Sequence, residues 1–152
     1  MSLKDLFDNI TNNFNNNIKL VDCYKLLEKY TNNDYKQYVN FNNEKYNKCT
    51  IYKNEYFIIC IISWKQGQKS GIHNHPQNGC IFKCLEGKLK EEIFKNDMNN
   101  ITYISYDCIS EGDIKYSYGD IYLHDITPIE NSVTLNVYCN PDFKTTFWDL
   151  KS

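Results

Sequence analysis

The sequence predicts a mainly β protein, an antiparallel β-barrel of jelly-roll type preceded by a few α-helices, and three observations carry that expectation. Apolar residues recur at helical spacing only before Tyr38. After Tyr38 the chain changes to short apolar or alternating runs of strand length. Gly, Asn and Asp separate those runs, which is how an all-β barrel reads in sequence.

In the N-terminal part, Leu3, Leu6, Phe7, Ile10 and Phe14 share one helical face, and Ser2 with Asp5 forms a potential capping box. Ile18 to Tyr30 repeats the period with Leu20, Tyr24 and Leu27, so a second helix is expected between two Asn-rich turns. The strand candidates are Ile51–Trp64, Gly79–Leu85, Lys88–Phe94, Ile101–Tyr106, Ile121–Leu123, Val133–Tyr138 and Phe143–Leu150. Turns are expected at Glu86–Gly87, Asn96–Asn100, Glu111–Asp113 and Gly119–Asp120. With 152 residues and neither linker nor internal repeat, one domain is expected, helical over 1–40 and barrel over 41–152.

Bulk properties narrow the function. Apolar residues make up 41% of the chain, enough for a sizeable core. The 17 basic residues, all Lys, nearly balance the 19 acidic ones, so no field of one sign exists to attract nucleic acid or an anionic membrane. The longest apolar stretch, Phe57 to Ile62, is far shorter than the roughly 20 residues a spanning helix needs. The seven Cys lack paired CxxC spacing and read as reduced, mostly buried thiols. The N-terminus, acidic and helical in period, does not read as an export signal, so a cytoplasmic protein is expected. A monomer is expected.

Chemistry concentrates in GQKSGIHNHPQNGCIFKCLEG, Gly67 to Gly87. Residues at i and i+2 on a strand point to one face, so His73 and His75 can offer two nitrogens to one metal. The remaining histidine, His124, follows the run Ile121–Leu123 and could supply a third. On spacing alone the pair reads equally as a metal half-site or as ordinary hydrogen-bonded histidines.

The frame decides further. The segment resembles the first cupin motif, G-x5-HxH-x4-E-x6-G, at every fixed position except one, because Cys80 stands where most cupins carry an acidic ligand. That exchange, with the later YxLH, resembles the cysteine dioxygenase family, and the likeness runs from near Tyr46 to near Phe147. The resemblance implies a cupin barrel with iron(II) held by His73, His75 and His124. It implies oxidation of L-cysteine by dioxygen to cysteine sulfinate, or, alternatively, of another small thiol such as 3-mercaptopropionate or cysteamine. A non-catalytic cupin that binds zinc or nickel remains open, since spacing does not choose the metal.

The resemblance also implies a thioether joining Cys80 to Tyr138 in TLNVYCNP, and a carboxylate site at Tyr46 and Lys48. The family has Arg where Lys48 stands; Lys offers a point charge but no planar two-pronged contact. It has His where Asn136 stands, and Thr134, Asn136 and Tyr138 share one strand face; Asn can pass a hydrogen bond but does not titrate. Trp64, just before the motif, reads as barrel core.

Overall fold

The computed structural model describes residues 1–150. Helix α1 (Leu3–Asn15) starts where its sequence says it should: the Asp5 N–H donates to the Ser2 hydroxyl at 3.0 Å, and the Ser2 N–H donates to the Asp5 carboxylate at 2.9 Å. It buries Leu3, Leu6 and Ile10. Thirteen residues are marginal as a free helix, so this apolar face holds it in place.

The second expected helix is split. A 3₁₀ turn, Leu20–Cys23, runs into the short α2 (Tyr24–Lys29). No side chain caps the turn at Lys19, yet Leu20, Cys23 and Leu27 still reach the core, which is why the apolar period survives the break. A further 3₁₀ turn, Asp34–Tyr38, precedes the strands.

Ten strands follow. They are β1 (Asn47–Lys53), β2 (Ile58–Trp64), β3 (Ile72–His73), β4 (Cys80–Glu86), β5 (Lys88–Asp97), β6 (Asn100–Ser110), β7 (Ile114–Ser117), β8 (Tyr122–Pro128), β9 (Ser132–Tyr138) and β10 (Phe147–Trp148). Their order is β1-β2-β9-β4-β7 in one sheet and β10-β3-β8-β5-β6 in the other, every pairing antiparallel. Two such sheets face to face form the expected jelly-roll barrel.

The differences from the sequence expectation are local. Ile51–Trp64 is a hairpin, not one strand, because the Asn54 side chain accepts the N–H groups of Tyr56 and Phe57 and turns the chain between β1 and β2. Phe143–Leu150 is extended only over the two residues of β10, and β3 and β7 lie in segments too short or too polar to show a period.

The central strands of the first sheet, β2, β9 and β4, are buried on both faces, and their period of two sorts their side chains. Ile59, Ile61, Ile81, Val133, Leu135 and Val137 pack with α1, α2 and the 3₁₀ turns in the larger core. The alternate residues, Ile62, Trp64, Phe82 and Cys84, meet Leu89, Ile109 and Ile126 of the second sheet. Lys83 breaks the apolar rule on the helix side: its ammonium donates to the carbonyls of Leu27 at 2.9 Å and Tyr30 at 2.7 Å, closing the C-terminal end of α2. Gly87 at the β4–β5 turn has φ 85°, and a Cβ there would sit 2.5 Å from the Asn131 carbonyl oxygen. The last fixed glycine of the motif is therefore required sterically.

Candidate metal centre

His73 ends β3 and stands directly opposite His124 of β8 in the ladder. His75 lies beyond the strand, where its N–H donates to the Gly119 carbonyl at 3.0 Å. The i, i+2 strand alternation expected to align the first two histidines is thus not what aligns them; a short strand, a turn and a loop contact do. The three rings nevertheless converge. His124 Nε2 lies 2.9 Å from His75 Nε2 and 3.0 Å from His73 Nε2, and one nitrogen from each residue falls within 4.8 Å of the others.

Tautomers follow from the outer nitrogens. His73 Nδ1 is 2.8 Å from the Gly71 carbonyl, and His124 Nδ1 is 2.8 Å from the Glu91 carboxylate, both acceptors, so both Nδ1 atoms carry the proton. The two Nε2 atoms then present bare lone pairs to each other at 3.0 Å, an arrangement that repels unless a cation lies between them. Burial pushes all three imidazoles below their ordinary pKa, keeping them neutral and able to bind metal at neutral pH. Two nitrogens each about 2.1 Å from one ion, and about 90° apart at it, stand about 3.0 Å from each other. The donor set therefore fits one divalent transition metal held on three adjacent positions.

Glu91 was not singled out from sequence. The signal was present: Leu89, Glu91 and Ile93 alternate onto one face of β5, and a carboxylate on an apolar face needs a partner. Glu91 and His124 are each only 7% exposed in their side chains, and burial raises the Glu91 pKa. Asp125 supports the other side by accepting the Gly71 N–H at 3.0 Å, which steadies the loop that carries the His73 acceptor.

Cys80 on β4 stands directly opposite Tyr138 on β9. Facing residues of antiparallel strands hold their Cβ atoms about 4.5–5.5 Å apart, within reach of a side-chain link. Burial pushes the Cys80 thiol up to about 12 and the Tyr138 phenol well above its ordinary value, so neither ionises spontaneously near neutrality. Thr134 and Asn136 precede Tyr138 on the same face: Thr134 Oγ1 donates to Asn136 Oδ1 at 2.7 Å, and Asn136 Nδ2 donates to the Tyr138 oxygen at 3.3 Å.

These groups line one cavity of about 60 Å³ together with the three histidines. At its mouth Tyr46 stacks on Trp64 with ring centres 4.7 Å apart, and the exposed Lys48 places its ammonium 4.1 Å from the centre of the Tyr138 ring. Among the described residues no ion pair involves Lys48. Phe143, Thr145 and Phe147 close the rim from the C-terminal segment, a stretch expected only to form a strand.

A jelly-roll barrel with inward histidines at its centre defines a cupin. Solved cupin folds agree: a double-stranded β-helix protein from Klebsiella pneumoniae matches with a TM-score of 0.59 at 16% identity, over 74% of this chain and 87% of that one. An RmlC-like cupin from Desulfovibrio desulfuricans matches at 0.50 and 19% identity, over 68% of this chain and 90% of that one. The family model for cysteine dioxygenase type I matches residues 1–149. Cysteine dioxygenase type 1 of Danio rerio is 25% identical over 92% of this chain and 75% of that protein, and its Rattus norvegicus counterpart 28% identical over 84% and 68%. The chain belongs to the cysteine dioxygenase type I family and is an enzyme of the thiol dioxygenase class. The match takes in the N-terminal helices as well as the barrel where the motifs lie.

Proposed function

We propose that this protein is an iron(II)-dependent dioxygenase of L-cysteine, which adds both atoms of one dioxygen to the thiol sulfur and yields cysteine sulfinate. One observation carries the reading: three histidine nitrogens with no carboxylate ligand share a cavity with Cys80, which faces Tyr138 across the sheet. His73, His75 and His124 are the residues that would hold iron(II), and their neutrality leaves room for an anionic thiolate without excess negative charge. Iron(II), when bound, supplies the redox chemistry that couples a thiol to dioxygen. Glu91 fixes the His124 ring and its tautomer. Tyr138, joined to Cys80 by a thioether, keeps a phenolic hydroxyl in the cavity as a hydrogen-bond donor.

Substrate choice rests on size and charge. A water needs about 10–15 Å³ of comparable space, so a cavity of about 60 Å³ admits a few heavy atoms besides a metal and suits a free small thiol better than a peptide. Lys48 is the cation at the mouth, and with every basic residue a Lys, no guanidinium exists to replace it. A carboxylated thiol gains from that charge and cysteamine does not. Residues 1–152 act as one cupin domain in this reading, supported by the core that the helices share with the first sheet.

Oxygen uptake by the iron-loaded protein with L-cysteine, 3-mercaptopropionate and cysteamine tests the proposal. Uptake is expected with cysteine and to be least with cysteamine. Bound iron with no uptake on any of the three would leave a metal-binding cupin without this chemistry. Intact mass supplies the second check: the native protein should lack two hydrogens relative to its sequence, and Cys80→Ala or Tyr138→Phe should not.

A further inference from the structure

We propose that Trp64 is a positioning residue that, through Thr134 and Asn136, makes Tyr138 an obligate hydrogen-bond donor into the cavity. The sequence suggested only barrel core at Trp64. In the structure its indole Nε1 lies 3.0 Å from Thr134 Oγ1, across the β2–β9 pair, and both groups are buried.

The direction of the whole chain follows from that contact. An indole N–H can only donate. Thr134 therefore accepts from Trp64, and its single hydroxyl proton goes to the atom 2.7 Å away, the carbonyl oxygen of Asn136. That sets the amide: its Nδ2 is the end that faces Tyr138, 3.3 Å from the phenolic oxygen. Tyr138 receives this bond, so its own proton has no acceptor within the chain and is left for a group in the cavity. Four side chains on two adjacent strands thus form a one-way sequence of donors that starts at a residue unable to reverse it.

Asn136 makes the polarity permanent. An imidazole at this position could accept from either neighbour or change its protonation, and the direction could switch with it. An amide has fixed donor and acceptor ends, so once Trp64 has chosen its orientation Tyr138 cannot serve as the acceptor of a cavity proton passed back through the strand. Burial agrees with a phenol that stays protonated. The group that meets the Tyr138 hydroxyl is the oxygen or sulfur of bound reactants, and this part rests on the dioxygenase reading above; the polarity itself rests only on the four side chains.

Ultraviolet resonance Raman of the indole N–H band separates the two parts. The chain has two Trp, and the other, Trp148, donates to Asn99 and can be subtracted with Trp148→Phe. Thr134→Val should move the Trp64 band to the unbonded position, and Thr134→Ser should leave it in place. In the iron-loaded enzyme Thr134→Val should lower kcat about tenfold with KM for cysteine unchanged, the size expected when one orienting hydrogen bond is lost. Thr134→Ser should restore it. Asn136→Asp, which can only accept, should turn the Tyr138 proton back to the strand and lower kcat at least as far. An unmoved Trp64 band in Thr134→Val overturns the proposal, as does equal activity of the Val and Ser variants. An inactive wild type with intact Raman shifts would instead refute the dioxygenase reading and leave the donor chain standing.

Discussion

Replacing Glu91 by Gln asks the most of the metal-site geometry. Gln keeps the shape and still offers an oxygen to the His124 Nδ1 proton, but removes the charge. The carboxylate is 2.8 Å from Nδ1 and both side chains are 7% exposed, so this is a buried, charge-assisted hydrogen bond worth about 1.5–3 kcal/mol. At about 1.4 kcal/mol per decade, metal affinity should fall about 10- to 100-fold, the range usual for outer partners of ligand histidines. Metal-free stability should fall by less than this, because burial penalises the carboxylate and offsets part of the bond it makes. Competition of the protein against a chromophoric chelator for iron(II), with the melting temperature of the metal-free protein measured alongside, reads both quantities. Unchanged affinity in Glu91→Gln, or a loss of affinity accompanied by an equal loss of metal-free stability, would refute the argument that Glu91 acts by orienting and polarising His124.

Acid should destabilise the metal-free protein through its three histidines. Their folded pKa values lie below the ordinary 6.5, so below that pH the unfolded chain binds more protons and stability falls as pH drops. The slope approaches about 4 kcal/mol per pH unit if all three titrate only on unfolding, with the raised Glu91 offsetting part of it nearer its own range. Melting temperatures between pH 7 and 5 check this, and a flat profile would contradict it. Lys48→Ala should raise KM for cysteine about fivefold, as expected for one partly solvated charge pair, and leave cysteamine kinetics unaffected. Lys83→Met strips the α2 carbonyls of their donor and should cost about 2 kcal/mol, a fall of about 4–8 °C in melting temperature, without altering metal affinity.

The barrel was legible because most of its strands keep a period of two and end at Gly, Asn or Asp. The first sheet shows why that worked even where both faces are buried: on β9, Val133, Leu135 and Val137 face the helices while Thr134, Asn136 and Tyr138 face the cavity. The hairpin at Asn54 escaped notice because a single Asx turn interrupts an otherwise apolar run. At the site, the spacing of His73, His75 and Cys80 brought the ligand set into view through the motif, yet the mechanism of convergence was different, since β3 ends before His75. Glu91 and Lys83 were passed over, and Trp64 was read only as core, for one reason. Each is a polar or amphipathic group on a buried strand face, and its partner lies 33 to 70 residues away in sequence, where no local pattern can point.

The central claim is that the three-histidine cavity joins dioxygen to the sulfur of a small thiol. Incubation of the iron(II)-loaded protein with L-cysteine under 18O2, followed by mass spectrometry of the product, tests it most directly. The account predicts cysteine sulfinate carrying both labelled oxygens, formed in equal amount to the dioxygen consumed, and lost in His75→Ala. Unlabelled or singly labelled product, or cystine in place of sulfinate, would contradict it.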